Sequence, residues 1–165
     1  MAQNVIKNLH EKGIDVNATV AMLNKAYADE MLAAYQYLAP IGLAVGKLRP
    51  EVEEEFNKHS SEELEHAQIL KDRIIQLGGV PLQSPEEWYA HTNCGYTKPT
   101  DYNTKVLVSQ NLEAERKAED VYLAIMKACK EAGDDVTYKI ARDILMDEQE
   151  HEQDLEDFLN DMEII

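Results

Sequence analysis

The sequence is poor in glycine, proline and cysteine, and each shortage carries information. Only 7 glycines and 5 prolines occur among 165 residues, and they are grouped, which leaves long uninterrupted stretches between them. Two cysteines, Cys94 and Cys129, are too few for a disulfide framework and form no Cys-x-x-Cys pair. The cysteine usage therefore indicates a reducing compartment and leaves the purpose of the two thiols open.

Basic residues are also scarce. The chain has 16 lysines and arginines against 32 aspartates and glutamates, which gives a formal net charge of −16. Binding to nucleic-acid phosphates needs clustered lysine and arginine, so direct DNA binding is disfavoured. Dominantly anionic membranes are disfavoured for the same electrostatic reason. Cations and other protein subunits are the partners that fit an acidic chain.

Long hydrophobic runs are missing as well. No stretch approaches the roughly 18 apolar residues that a membrane-spanning helix needs, and residues 1–11 lack the apolar core of a signal peptide. We therefore expect a cytoplasmic protein. With 44% hydrophobic residues and a length typical of one domain, the chain can bury a core of its own, so we expect a single domain over residues 1–165.

The stretches between the glycines and prolines carry apolar residues at helical spacing. They predict four long helices, at about residues 17–45, 50–77, 101–132 and 134–162. A crossover of about 20 residues joins the second to the third helix, and within it Ser84 and Pro85 begin a short helix near residues 86–90. This order predicts an all-α four-helix bundle, which the breaks at Gly46 and Gly133 favour over a long coiled coil.

Titratable residues interrupt the apolar stripe near the middle of every long helix. Buried carboxylates without partners cost several kcal/mol each, so either these faces are exposed or a cation neutralises them. A single glutamate on a helix is normally solvated, and a single histidine on an apolar face is more often a hydrogen-bonded core residue than a ligand. The interrupting residues are Glu30, Glu63, His66, Glu115, Glu148 and His151.

A repeat changes this interpretation. Glu63-x-x-His66 and Glu148-x-x-His151 each place two ligand types one turn apart on one helix face. The first hairpin recurs with an offset of 85 residues, since 115 − 30 = 85, 148 − 63 = 85 and 151 − 66 = 85. The repeat therefore predicts a pseudo-twofold bundle with a carboxylate-bridged centre for two metal ions. Four nearby glutamates are interpreted as solvated: Glu62, Glu65, Glu113 and Glu150.

The ligand set indicates which metals fit. Four carboxylates carry a charge of −4 and balance two divalent ions. Oxygen-rich ligation with imidazole and no thiolate favours iron or manganese, although zinc would also bind. Two metals held by flexible carboxylates can bind O2 or H2O2 between them.

With these residues placed, the sequence resembles the bacterioferritin group of the ferritin-like superfamily over residues 23–159. The resemblance is carried by four segments, EMLAAYQY, EELEHAQILKDRIIQLGGVP, NLEAERKAEDVY and DILMDEQEHEQDLE. It implies a ferritin-like bundle and a ferroxidase that oxidises Fe(II) in pairs and stores ferric mineral in a hollow shell. It also implies that Glu63 and Glu148 bridge the two iron ions. The other four ligands, Glu30, His66, Glu115 and His151, would be terminal.

The resemblance assigns three further residues to the surroundings of the metals. Asp147 matches an acid that orients a ligand histidine, here His66. The corresponding partner of His151 would be Asn111, where the family often has aspartate. Tyr37 matches a tyrosine close to the metals, and a core aromatic is an equally favoured interpretation.

Three departures from bacterioferritin shape the rest of the prediction. The methionine that holds haem in that family is replaced by Leu64, so we expect no haem. Only 165 − 151 = 14 residues follow His151, too few for the short fifth helix of 24-subunit ferritins. The crossover helix together with Cys94 and Cys129 resembles the Dps-like ferritins, which combine a bacterioferritin-type site with a cysteine pair in 12-subunit cages. Because Cys129 is 14 residues from Glu115, about 21 Å along a helix, a redox role would require Cys94 to lie near it.

These observations predict a ferroxidase and iron-storage protein. We expect it to oxidise Fe(II) with H2O2 or O2 at two iron ions per subunit, in a homo-oligomeric cage of 12 copies that protects against oxidative stress. Two alternatives remain open. One is a non-storage di-iron peroxidase of the rubrerythrin kind, which the lack of a Cys-x-x-Cys module disfavours. The other is a DNA-compacting Dps-type protein, which the net charge disfavours.

Overall fold

Six helices make up the structure, a computed structural model that describes residues 3–164, with side chains described from residue 6 onward. In chain order they are α1 (Gln3–Glu11), α2 (Val16–Leu38), α3 (Arg49–Gln76), α4 (Pro85–His91), α5 (Thr104–Ala132) and α6 (Asp135–Ile164). The four long helices pack as two hairpins, α2 with α3 and α5 with α6. This is the predicted four-helix bundle, and α4 is the predicted short helix in the crossover.

Local sequence signals account for most helix ends. Asp15 accepts a hydrogen bond from the Ala18 amide and caps α2, and Asn103 caps α5 in the same way through Lys105. Gly133 ends α5 in the left-handed conformation, at φ 77°, where glycine has no steric penalty. α5 begins at Thr104, three residues later than predicted, because Asn103 is the capping residue.

The predicted end of the first long helix was wrong. α2 stops at Leu38 rather than at residue 45. Pro40 lacks the amide hydrogen that would continue the helix, although Ala39 directly before it still has helical backbone angles. The following turn is closed by Gly42 at φ 80° and by a hydrogen bond from the Leu43 amide to the Pro40 carbonyl. This signal was present in the sequence and was overlooked.

The short helix α1 was also missed. An isolated helix of nine residues is marginal in water, so its stability depends on packing that a local pattern does not reveal. Leu9 supplies that packing by contacting the hydrophobic core around α2 and α3.

The apolar core is divided into two clusters along the bundle. One lies around Leu23, Leu70 and Ile144, and the other around Phe56 and Leu107. Each long helix changes from one cluster to the other near its middle, where its polar residues lie, so the bundle has a polar layer between two apolar layers. Within residues 3–164, no helix has the length and apolar character needed to cross a lipid bilayer.

Candidate metal centre

The polar layer contains all six residues singled out by the repeat. α2 and α5 each contribute one glutamate, and α3 and α6 each contribute a glutamate and a histidine one turn later. All six side chains are buried, with 1 to 3% of their surface exposed. The structure therefore brings together at the centre of the bundle residues that are up to 121 positions apart (151 − 30 = 121).

His66 lies among three of the carboxylates. Its Nδ1 atom is 3.2 Å from Glu148 Oε1, 3.4 Å from Glu63 Oε2 and 3.5 Å from Glu30 Oε2. Candidate ligand atoms of these four residues all lie within 4.8 Å of one another, so a single metal ion can contact all of them. They form the first half of the centre.

His151 occupies the matching position on the other side. Its Nδ1 atom is 3.3 Å from Glu63 Oε1 and 3.9 Å from Glu148 Oε2. With Glu115, these residues form a second group whose ligand atoms lie within 4.8 Å of one another. Glu63 and Glu148 belong to both groups, and each turns one oxygen toward His66 and the other toward His151. That is the arrangement of carboxylates that bridge two metal ions.

The inward-facing atoms of this centre have no hydrogen-bond partners among the described residues. The unpartnered atoms are both carboxylate oxygens of Glu63, both of Glu148, and the Nδ1 atoms of His66 and His151. Burying polar atoms in this way costs free energy unless something binds them. Divalent metal ions fit the site because these atoms are oxygen and imidazole donors that converge on two points.

The electrostatics of the centre without metal reflect its burial and its crowded charges. Burial and the neighbouring carboxylates raise the pKa values of Glu63, Glu115 and Glu148 well above the usual glutamate value. Burial also opposes ionisation of Glu30, but the adjacent side chains of His66 and Glu63 outweigh it and lower its pKa. In the absence of metal, protons therefore replace part of the missing positive charge.

Two tyrosines hold the terminal glutamates. The Tyr37 hydroxyl donates a hydrogen bond to Glu115 Oε1, and the Tyr122 hydroxyl donates one to Glu30 Oε1. Burial and the adjacent carboxylates raise the pKa values of both phenols well above the usual value, so they remain donors. Tyr37 was among the residues predicted near the metals, and Tyr122 was not. The signal was available, because 122 − 37 = 85, the offset of the repeat.

The outer nitrogens of the two histidines contact acidic side chains. His66 Nε2 lies 3.1 Å from Asp147 Oδ2, the predicted pairing. His151 Nε2 lies 3.0 Å from Glu62 Oε2, and this corrects two predictions, that Glu62 is simply solvated and that Asn111 is the partner of His151. Asp147 and Glu62 are repeat partners as well, since 147 − 62 = 85.

Asn111 has a different role in the structure. It is buried and accepts a hydrogen bond at 3.1 Å from Gln36 Nε2, while its own amide donates to the Leu107 carbonyl. The bond from Gln36 ties α5 to α2. The described contact of His151 Nε2 is instead with Glu62 on the adjacent helix α3. The helical pattern alone could not show which of the two residues, Asn111 or Glu62, lies closer to the histidine.

The two cysteines are free and have different surroundings. The Cys94 amide donates to Asp29 Oδ1 at 2.8 Å, and burial, together with Asp29 and Glu30, raises the pKa of its thiol. Cys129 is buried in the apolar cluster on one side of the centre, where burial and Asp134 raise its pKa to about 11. Neither environment favours a thiolate, and a redox role for the pair stays a prediction.

A small cavity leads from the surface to the histidines. It has a volume of about 180 Å3 and lies between α3 and α6. Its lining comprises Lys58, Glu62, Glu65, His66, Ile69, Asp147, Glu150 and His151. Four acidic side chains against one lysine give this wall a net negative charge, which favours cations over anions.

The fold and the centre define a four-helix bundle with a buried cluster of carboxylates and histidines that could hold metal ions. Comparison with known proteins agrees with this class. The family model for the ferritin-like domain matches residues 20–165, and the chain belongs to the ferritin-like family.

Individual relatives point to two branches of that family. The chain is 28% identical to a bacterioferritin from Desulfovibrio desulfuricans, over 80% of this chain and 69% of that protein. It is 32% identical to a DNA protection during starvation protein from Pyrococcus furiosus, over 89% of this chain and 80% of that protein. The fold matches the bacterioferritin-related protein from Bacteroides fragilis, a dodecameric thioferritin, with a TM-score of 0.93 and 40% identity over 98% of this chain and 95% of that one. The resemblance to both bacterioferritin and Dps-like proteins is thereby confirmed.

Proposed function

We propose that this protein is a ferroxidase that oxidises Fe(II) and stores the ferric product. The carrying observation is the set of six unpartnered, inward-facing atoms on Glu63, Glu148, His66 and His151, which two divalent ions would satisfy. Membership of the ferritin-like family supports iron as the metal. Manganese and zinc fit the same donors and would compete with it.

Each residue of the centre has a defined task in this proposal. Glu63 and Glu148 bridge the two ions, and Glu30 with His66 and Glu115 with His151 complete the two halves. Tyr122 and Tyr37 hold the terminal carboxylates, while Asp147 and Glu62 orient the imidazoles. The four carboxylates neutralise two divalent ions, so the loaded centre carries no net charge in a buried layer.

The chemistry of the reaction is an exchange of two electrons. Two Fe(II) ions each lose one electron, and H2O2 takes both electrons with two protons to give two water molecules. With O2 as the oxidant, the same two electrons and two protons give H2O2. Consuming Fe(II) and H2O2 together would remove the reactants that generate hydroxyl radical.

Storage requires an assembly, and the relative from Bacteroides fragilis is dodecameric. We propose the same 12-subunit cage for this chain. Leu64 stands where bacterioferritin has its haem-binding methionine, so the proposed cage has no haem. The apolar surfaces that subunits would cover include the groove among α2, α3 and α4 lined by Leu38, Leu64 and Trp88.

Anaerobic titration with Fe(II) tests the dinuclear centre directly. Binding at this centre should saturate near two ions per subunit, apart from any ion held outside it, and Glu63→Ala or His151→Ala should abolish that saturation. Glu113→Ala, which alters an exposed carboxylate on α5, is the matched control and should keep it. Circular dichroism establishes that each variant is folded, and unchanged stoichiometry in both folded centre variants would overturn the proposal.

A further inference from the structure

A second group of possible ligands lies beside the dinuclear centre and shares none of its six residues. It consists of Glu55 and His59 on α3 and Asp154 on α6, whose ligand atoms lie within 4.8 Å of one another. His59 is one turn before Glu63 on α3, and Asp154 is one turn after His151 on α6. The group therefore lies one helical turn from the centre.

Two carboxylate oxygens in this group point at the same ring nitrogen. His59 Nε2 is 3.1 Å from Glu55 Oε1 and 3.4 Å from Asp154 Oδ2. Ligands bound tetrahedrally to a metal at 2.0 to 2.2 Å lie about 3.3 to 3.6 Å apart. The observed spacing is close to that of donors already arranged around one ion, and a water molecule can supply the fourth position.

An ammonium group already occupies the cation position. Lys58 Nζ lies 2.8 Å from Glu55 Oε1 and 3.2 Å from Asp154 Oδ2, the same two oxygens that face His59. The Lys58 side chain is 47% exposed, so it can turn outward when a metal ion takes its place. The two carboxylates then face a divalent metal ion instead of a singly charged ammonium group.

The burial of His59 gives the group a second, independent feature. Its ring is completely buried, and Nδ1 has no hydrogen-bond partner in the described part of the chain. Apart from this group its ring makes only aromatic contacts, stacking on His151 at 4.0 Å between ring centroids and meeting the edge of Tyr37. Among the described residues, the polar contacts of this ring at hydrogen-bonding distance are with Glu55 and Asp154, although ligand atoms of Glu62 and His151 also lie within 4.8 Å of it.

We propose that Glu55, His59 and Asp154 form a separate mononuclear site for a divalent first-row transition-metal ion, which displaces the ammonium group of Lys58. This site goes beyond the proposed dinuclear centre and depends on none of its ligands. Because His59 stacks on His151, an ion bound here lies next to the dinuclear centre and can wait there before or after occupying it.

Zinc binding to the full-length protein tests the site without redox chemistry. Equilibrium dialysis should give about three Zn(II) ions per subunit, and the Glu55→Gln/Asp154→Asn double variant should give about one fewer. Lys58→Met should raise the affinity of this third site for Zn(II) about threefold, since the substitution removes a competing exposed ion pair. The control is Glu54→Gln/Asp157→Asn, which changes exposed carboxylates on the same two helices and should leave the third ion bound.

Anomalous diffraction from zinc-loaded crystals locates each ion. The expected result is a peak about 2.0 to 2.2 Å from His59 Nε2 and from one oxygen of each carboxylate. Peaks at the dinuclear centre with none at His59 under saturating zinc would overturn the inference and leave the proposed function standing. A peak at His59 with none at Glu63 and Glu148 would support this site and contradict the proposed dinuclear centre. Equal zinc content in the folded double variant and the wild type would also overturn the inference.

Discussion

At the level of single residues, the centre consists of two similar halves related by the repeat. Each half has a histidine, a terminal glutamate, a tyrosine that donates to that glutamate and an acid on the outer nitrogen of the histidine. The outer acids differ, because Asp147 is 57% exposed and Glu62 is 37% exposed. Substitutions in the two halves should therefore have parallel effects that differ in size.

Removing either outer acid should weaken metal binding. Glu62→Ala leaves His151 without its partner and Asp147→Ala does the same to His66, and losing such a contact typically costs about tenfold to a hundredfold in affinity. Anaerobic competition titration with a zinc chelator measures the change. Glu54→Ala, an exposed neighbour on α3, should bind as the wild type does. Unchanged affinity in Glu62→Ala would contradict the role assigned to that residue.

The metal-free protein should lose stability as the pH rises. The raised pKa values of Glu63, Glu115 and Glu148 mean that the folded state holds protons that the unfolded chain releases above about pH 4.3. Burial lowers the pKa of His66, but the adjacent carboxylates of Glu148, Glu30 and Glu63 outweigh this effect and raise it. Its stabilising contribution is therefore complete below about pH 6.5 and is lost as the pH rises through the folded-state value.

Urea denaturation at about pH 5 and about pH 8 measures this effect. His59 acts in the opposite direction, because burial lowers its pKa to about 3, but Glu63, Glu115, Glu148 and His66 outnumber it. The free energy of unfolding should therefore fall between the two pH values without metal. Loading with zinc should reduce or reverse the fall, since the metal takes the place of the protons. Glu148→Gln removes one titrating group and keeps the side-chain shape, so its metal-free pH dependence should be weaker. A metal-free wild type whose stability rises with pH would contradict the assignment.

Among the structural elements, the crossover needs the most specific attachment, because its short helix has little core of its own. Asp29 on α2 provides it. This buried carboxylate accepts hydrogen bonds from the Thr92 hydroxyl, from the Asn93 amide at 2.7 Å, from the Asn93 side chain at 2.6 Å and from the Cys94 amide at 2.8 Å. One side chain thus fixes the chain just after α4, next to Glu30 of the candidate centre.

Asp29→Ala should release this part of the crossover. Its donors would lose their acceptor, and leaving buried groups unpaired costs about 1 to 3 kcal/mol each before relaxation. We expect a lower denaturation midpoint and faster hydrogen exchange at the Asn93 and Cys94 amides. Asp120→Ala, which alters an exposed carboxylate on α5, should change neither. Protected Asn93 and Cys94 amides in the folded Asp29→Ala variant would show that α4 is held by other contacts.

For the molecule as a whole, assembly and charge decide what it can store and what it can bind. A dodecamer of 18.8 kDa subunits would have a mass of 12 × 18.8, or about 226 kDa. Native mass spectrometry should show this species at neutral pH. A main species of one or two subunits would revive the non-storage peroxidase, and a 24-subunit species would contradict the small cage.

Charge makes a separate prediction about DNA. The relative from Pyrococcus furiosus is a DNA protection during starvation protein, but this chain carries a formal net charge of −16. Like charges repel, and the phosphate contacts that drive nonspecific binding need lysine and arginine. We expect no retardation of linear DNA in a gel-shift assay at neutral pH and low salt. Salt-sensitive retardation by the pure protein would contradict this expectation.

The sequence by itself determined the bundle and the six residues at its centre. Helical spacing and the grouped glycines and prolines are local signals, so they predicted the four long helices and α4. The 85-residue repeat also indicated which distant residues occupy matching positions, such as Glu30 and Glu115. Such relations between distant residues normally become visible only from contacts in the folded structure. The same repeat, applied consistently, would also have identified Tyr122 and Glu62.

Only the tertiary structure decided which side chains meet between helices. Glu62 rather than Asn111 contacts His151, α1 is held by its packing against the core, and Asp29 fixes the crossover. The group of Glu55, His59 and Asp154 likewise exists only because α3 and α6 lie side by side. A sequence pattern specifies the face of a helix, whereas the distance between atoms on two helices depends on how those faces pack, and metal binding depends on that distance.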